Sequence, residues 1–123
     1  MQNNPDNDKS ETIFDRANFM DRLEGDIELA RDLAALFLDD AAEKMDLLSA
    51  AISSGDADAV EQTAHSLKGA AANVSAYAVR HLAYRIEQSG RQNHIDSARQ
   101  MYPQLESAMT ELSDVLHREI LQA

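Results

Sequence analysis

The chain has 123 residues, which is enough for one domain with a single hydrophobic core. It has no cysteine, which excludes disulfides and thiolate metal sites, and its formal net charge of −11 argues against nucleic acid as a partner. No apolar run approaches the roughly 20 residues that cross a bilayer, and no signal peptide opens the sequence. We therefore expect a cytoplasmic protein that makes no direct membrane contact.

The composition favours an all-α fold, because only four glycines and two prolines are present and β-branched residues do not cluster. Residues 1–12, MQNNPDNDKSET, are polar and have no periodicity, which predicts a disordered tail or linker. Residues 13–121 are expected to form one helical domain.

Capping residues delimit the first two predicted helices. A short helix begins after Asp15 and ends at Gly25, and a second begins after Asp26 and runs to about Ile52. The apolar residues of the short helix are Phe19, Met20 and Leu23. Those of the second helix, at helical spacing and predicted to lie in the core, are Leu29, Leu33, Leu36, Phe37, Ala41, Met45 and Leu48.

The third predicted helix runs from about Ala57 to Asn73, after a turn in which Gly55 takes a positive φ and Asp56 is the N-cap. Its apolar seam consists of Val60, Ala64, Leu67, Ala71 and Val74. Steps of four and three residues along the seam are typical of a helical bundle.

Two further helices complete the prediction. The apolar residues of the fourth are Val79, Leu82, Ala83 and Ile86, before Gly90 ends it. Asn93 and Asp96 resemble a capping box for the fifth, and Pro103 predicts a kink there or a start nearer Tyr102. The apolar residues of the fifth are Ala98, Tyr102, Leu105, Met109, Leu112 and Leu116. Short connections predict an antiparallel up-down-up-down four-helix bundle with a short extra N-terminal helix.

His65 is the most distinctive residue of the third helix. Each residue turns an α-helix by roughly 100°, which places His65 at roughly 140° from the apolar seam. It shares that exposed or half-exposed face with Glu61, Lys68, Gly69 and Ala72. The histidine is therefore predicted to face away from the core.

These neighbours fit phosphoryl chemistry. A neutral imidazole is a nucleophile, and Lys68, one turn on, can stabilise the negative charge of a phosphoryl group at His65. Gly69 inside a helix costs about 1 kcal/mol relative to alanine, which is explained if another molecule approaches closely there.

Other chemistries lack the residues that they need. Glu61 and His65 are four positions apart, but one such pair cannot fill a metal coordination sphere. No catalytic triad, oxyanion loop or nucleotide motif is present, so neither hydrolysis nor use of ATP is expected. His81, His94 and His117 lack a comparable setting and are interpreted as surface residues.

The segment AHSLKGAAANVSA, residues 64–76, resembles the signature of the histidine phosphotransfer (HPt) domain family, His-x-x-Lys-Gly followed by small residues. FMDRLEGDIELARDLAALFLDD resembles the family's usual first two helices, and AISSGDADAVEQTAHSLKG resembles its approach to the phosphorylated histidine. The resemblance covers roughly residues 13 to 120.

The resemblance implies a phosphorelay intermediate rather than an autonomous enzyme. His65 would accept a phosphoryl group from an aspartyl phosphate on a receiver domain and pass it to an aspartate on another receiver. The receiver would be part of a response regulator or of a hybrid sensor kinase. Lys68 would balance phosphate charge, and Gly69 would leave room for the receiver. The chain, expected to be a monomer, would need no cofactor, because Mg²⁺ would be bound by the receiver. The alternative is a helical bundle that docks partners without transferring phosphate.

Four further residues are candidates for partner contacts. Glu61 and Ala72 share the face of His65, while Ile13 and Phe14 are either exposed apolar contacts or residues that attach the first helix to the bundle.

The chain departs from the family pattern at two positions. Ser75 stands where many members have glycine, and Glu87 stands where several place glutamine near the phosphohistidine. A carboxylate aimed at the ring would repel phosphate, so Glu87 is expected to point aside or to pair with a cation such as Arg91.

Overall fold

The computed structural model describes residues 9–122, in which five α-helices and no β-strand are present. The helices are α1 (Arg16–Arg22), α2 (Ile27–Ser54), α3 (Ala57–Asn73), α4 (Tyr77–Arg91) and α5 (Ile95–Leu116). A 3-10 turn, Lys9–Glu11, precedes them, and a π-helical turn, His117–Leu121, continues α5.

Helices α2 to α5 form the predicted four-helix bundle. Turns of two or three residues join them, so that each helix packs against the next, and α5 closes the ring against α2. Helix α1 lies outside this ring as the short extra helix. Within residues 9–122, none of these helices has the length and apolar character needed to cross a membrane.

Local capping chemistry sets most of the helix starts. The carboxylates of Asp15, Asp26 and Asp56 each accept a hydrogen bond of 3.0–3.1 Å from the backbone N–H three residues on. Gly55 ends α2 with a φ of +72°, in the left-handed region that glycine adopts without steric cost. The predicted starts of α1, α2 and α3 are therefore confirmed, and α2 extends two residues beyond its predicted end.

The core contains the predicted seam of α3, since all five of its residues are buried. The prediction for α2 was wrong at two leucines, because Leu29 is 42% exposed and Leu36 is 65% exposed. Ala30 and Ala34 are buried instead. Small side chains at these positions let α2 approach its neighbours closely, which turns the adjacent leucines outward.

The start of α5 also differs from its prediction. Asn93 is not an N-cap: its φ of +59° belongs to the turn that ends α4, a conformation that asparagine tolerates better than most residues. His94 occupies the N-cap position without a side-chain hydrogen bond. The helix begins at Ile95 and continues through Pro103, so the alternative start near Tyr102 was wrong.

Part of the segment predicted as a tail is structured. Residues 1–8 lie outside the described residues, whereas Lys9–Glu11 forms the 3-10 turn, which packs against α4. The carbonyl of Thr12 accepts a hydrogen bond of 2.8 Å from the backbone N–H of Ala78. Regular structure is therefore present on the N-terminal side of the predicted boundary at residue 13.

Ser75 shapes the turn between α3 and α4. It has a φ of +56° and is fully buried, and its hydroxyl donates to the Asn18 side chain at 2.7 Å. Nη2 of Arg22 donates to the same hydroxyl at 2.9 Å and to the carbonyl of Asn73 at 2.9 Å. The serine side chain thus attaches α1 to the bundle.

Substitutions of Ser75 should separate the hydrogen bonds of the hydroxyl from the strain of the backbone. Ser75→Ala is expected to lower the free energy of unfolding by about 1–3 kcal/mol, because buried polar partners lose a hydrogen bond. Ser75→Gly should cost less, since glycine avoids the roughly 1–2 kcal/mol penalty of the left-handed region. Urea unfolding of the three proteins measures this order, and an alanine variant as stable as the wild type would contradict it.

Candidate functional site

His65 lies on the outer face of α3, as predicted, with its side chain 67% exposed. Its Nδ1 atom is 2.8 Å from Oε2 of Glu87 on the neighbouring helix α4. One edge of the ring is therefore held by a carboxylate, and the rest of the side chain is open to solvent.

Glu87 does not point aside but takes the other expected arrangement, in which its carboxylate pairs with Arg91. Its side chain is only 3% exposed and reaches between α3 and α4. Nζ of Lys68 is 2.7 Å from Oε1, and Nη2 of Arg91 is 3.3 Å from Oε2. The predicted pairing with Arg91 is present, but Lys68 and His65 share the same carboxylate. Nitrogen atoms of His65, Lys68 and Arg91 thus compensate the burial of this carboxylate.

The environment of Glu87 stabilises its ionised form. Burial raises the pKa of the carboxyl, but hydrogen bonds from Lys68 and His65, together with their positive charges, lower it by more. The pKa therefore lies below its ordinary value of 4.5. At neutral pH Glu87 is a carboxylate, which accepts hydrogen bonds and donates none.

The state of Glu87 determines the tautomer of His65. Since the carboxylate only accepts, Nδ1 of His65 must carry the hydrogen of their contact. A neutral ring then has its lone pair on Nε2, the nitrogen on the far edge of this exposed side chain. The contact orients the ring and directs its nucleophilic atom away from the protein.

The ion-pair network extends along both helices. Nε of Arg91 is 2.9 Å from Oε2 of Glu61, so Arg91 bridges Glu61 and Glu87. In the other direction, Nζ of Lys68 lies 5.4 Å from the ring centroid of Tyr84, within the range of a cation–π contact. Glu61, predicted as a partner contact, thus has an internal partner.

Several residues beside His65 on α3 have small side chains that project little from the helix. Gly69 is exposed, and a Cβ built there would meet no atom within 4 Å. The fold itself therefore does not require glycine at this position. Ala72, a little further along α3, is half-buried. Both remain predictions as partner contacts.

Ile13 and Phe14 have a packing role. Both are half-buried against the core, and the ring of Phe14 meets that of Phe19 edge to face, with 5.5 Å between their centroids. They attach the start of α1 to the bundle, which was one of the two interpretations of these residues. Contact of either residue with a partner stays a prediction.

Sequence reasoning predicted the pair of Glu87 with Arg91 but missed the contacts of Glu87 with His65 and Lys68. A signal was available: Glu87 follows the buried Ala83 by four positions and the buried Ile86 by one, so it borders the core face of its helix.

Among the described residues, no three histidine, aspartate or glutamate side chains come together as a metal site would require.

The pH dependence of folding should report the ionisation of Glu87. Because its pKa is lower in the folded than in the unfolded chain, its carboxylate stabilises the fold above about pH 4.5, and this contribution is lost as the pH falls through the folded-state pKa. The difference in free energy of unfolding, wild type minus Glu87→Gln, should therefore fall with acidification below that pH. Urea unfolding at a series of pH values measures it, and a constant difference would contradict the assignment.

Known proteins resemble this chain in sequence family and in fold. A family model described as the Hpt domain matches residues 32–115. The fold is similar to the crystal structure of histidine-containing phosphotransfer protein B (HptB) from Pseudomonas aeruginosa PAO1, with a TM-score of 0.85 and 25% sequence identity, over 92% of this chain and 98% of that chain. No curated protein matches the sequence.

Proposed function

The chain belongs to the Hpt domain family, and on that premise we propose that His65 carries the phosphoryl group in a phosphorelay. The family match and the likeness to HptB support a histidine phosphotransfer role. The observation that carries the assignment to His65 is its contact with Glu87, which leaves Nε2 exposed as the nucleophile.

In the proposed step, the Nε2 lone pair attacks the phosphorus of an aspartyl phosphate on a receiver domain. The new N–P bond forms as the bond between phosphorus and the aspartate oxygen breaks, and the departing carboxylate keeps the electron pair. Nδ1 keeps its proton, so the phosphorylated ring is positively charged and lies beside the Glu87 carboxylate. The reverse step passes the group to the aspartate of a second receiver.

Lys68 has two possible anionic partners in this scheme. In the free chain its ammonium pairs with Oε1 of Glu87, next to the ring of His65. A phosphoryl group on His65 brings a second anion within one turn of the same helix, and Lys68 then balances part of its charge. Arg91 remains paired with Glu87, so the carboxylate keeps a cation when Lys68 turns to phosphate.

The chain's own share of the chemistry is limited to the nucleophile and its charged neighbours. We assign Mg²⁺ to the receiver, whose carboxylates suit a hard cation. The chain is proposed to act as a monomeric phosphocarrier that depends on its partner for catalysis and takes no phosphate from ATP directly.

Incubation with a phosphorylated receiver domain tests the proposal. The phosphoryl group is expected to move to this chain in an acid-labile, base-stable linkage, because phosphorus is then bonded to nitrogen. A helical bundle that only docks partners would bind the receiver without acquiring the label. An acid-stable linkage would indicate a hydroxyl acceptor and contradict the proposal.

A further inference from the structure

The outer surface of α4 is positively charged in a chain that is otherwise acidic. This helix contains three arginines and one glutamate, whereas the whole chain has 11 lysines and arginines against 22 aspartates and glutamates. The glutamate, Glu87, is buried and paired with cations, so it adds little negative charge to the outside. The arginines therefore set the sign of the local potential.

Arg80 and Tyr84 lie on the side of α4 that faces the site. They precede Glu87 by seven and three positions, which places all three residues in one stripe along the helix. Tyr84 is 46% exposed, in contact with Lys68. Arg80 is exposed and makes no ion pair with any carboxylate of residues 9–122. We refer to Arg80 and Tyr84 as the α4 strip.

A phosphoryl donor or acceptor is a difficult partner for this chain. It must bring a carboxylate, a phosphoryl group and the acidic ligands of Mg²⁺ close to His65, while the chain has a net charge of −11. Like charges at this density slow association and weaken docking. Arg80, a cation that no carboxylate of the described chain neutralises, lies two helical turns from Glu87 in the same stripe of α4 and offsets part of this repulsion.

We propose that the α4 strip is a docking surface for the acidic phosphoacceptor face of a receiver domain. The guanidinium of Arg80 pairs with a carboxylate at the rim of the partner's active site. The ring of Tyr84 covers apolar area between that pair and Lys68. This inference rests on the proposed function, and it adds the α4 side of the site to the α3 face that includes Gly69.

Transfer kinetics at two salt concentrations test the inference. With a receiver that labels the wild type, Arg80→Gln should lower kcat/KM about three- to fivefold at about 0.01 M salt, with kcat unchanged, because the lost pair acts in docking. At about 1 M salt, where the Debye length is about 3 Å, the two proteins should become nearly equal.

Arg85→Gln is the matched control. Arg85 lies on the same helix, is also exposed, and is turned roughly 140° around the helix from Arg80, beside a groove against α5 that Tyr84 also borders. The control changes the net charge equally but should alter kcat/KM much less than Arg80→Gln. Equal effects of the two substitutions, or no effect of either, would overturn the α4 strip while leaving the proposed function intact. A wild-type chain that acquires no label from any receiver would overturn both.

Discussion

Replacement of His65 by glutamine is expected to abolish phosphoryl acceptance completely and to leave the fold intact. Glutamine has no nucleophilic nitrogen, while its amide can still donate a hydrogen bond towards Glu87. Since the His65 side chain is 67% exposed and glutamine keeps a donor near the buried carboxylate, the free energy of unfolding should change by no more than about 1 kcal/mol. Label incorporation from a phosphorylated receiver measures the first effect, and urea unfolding measures the second.

His81→Gln provides the control for this experiment. His81 is an exposed histidine on α4, and in the described chain no carboxylate holds its ring as Glu87 holds that of His65. Its substitution should leave labelling unchanged. If labelling persists in the His65 variant and disappears in the His81 variant, the phosphoryl group is carried by α4, which contradicts its assignment to His65 on α3.

Replacement of Gly90 by alanine is expected to lower the free energy of unfolding by about 1–3 kcal/mol, although alanine is the better helix former. A Cβ at this position would lie 2.7 Å from the backbone N of Glu61 and 2.9 Å from the carbonyl oxygen of Ala57. Backbone atoms of α3 cannot turn away as a flexible side chain would, so the two helices must separate. That separation would also disturb the contacts of Glu87 and Arg91 across the same interface.

Gly69→Ala is the matched substitution, because its Cβ would meet no atom of the chain within 4 Å. It should raise the free energy of unfolding by up to about 1 kcal/mol, the intrinsic preference of a helix for alanine. If Gly69 leaves room for a receiver, the same variant should transfer phosphate more slowly. Urea unfolding of both variants checks the opposite signs, and destabilisation by both substitutions would contradict the distinction drawn between the two glycines.

The helix starts were predictable because their causes are local. Asp15, Asp26 and Asp56 each stand just before a helical pattern, and each caps the N–H three residues on. Asn93 shows the limit of this reasoning. Its side chain suits an N-cap as well as a left-handed turn residue, and the way in which α4 ends against its neighbours selects the second use.

The buried face of α2 was predicted less well, for a reason of packing. Leucines and alanines alternate around this long helix, so more than one apolar face is compatible with its periodicity. Close approach of the neighbouring helices buries Ala30 and Ala34 and leaves Leu29 and Leu36 outside. Hydrophobicity alone favours the larger residues, and only the distances between helices decide against them.

In the candidate site too, the features set within one helix were predictable, and those that depend on two helices were not. His65, Lys68 and Gly69 share one helix, so their spacing alone placed them on one face. The direction of the Glu87 side chain depends on where α3 lies relative to α4 and on the cations that α3 and Arg91 supply. Neither is encoded in the periodicity of α4. The sequence therefore indicated the proposed nucleophile, His65, while the tautomer of its ring required the structure.

The position of the phosphoryl group on the imidazole ring decides whether Glu87 directs the chemistry of His65. The chain would be labelled with ¹⁵N in its histidines, phosphorylated by a receiver, and studied by NMR for coupling between phosphorus and each ring nitrogen. Because Glu87 occupies the Nδ1 side of His65, phosphorus is expected on Nε2 of this residue. Phosphorus on Nδ1 of His65, or on any other residue, would overturn the role assigned to Glu87.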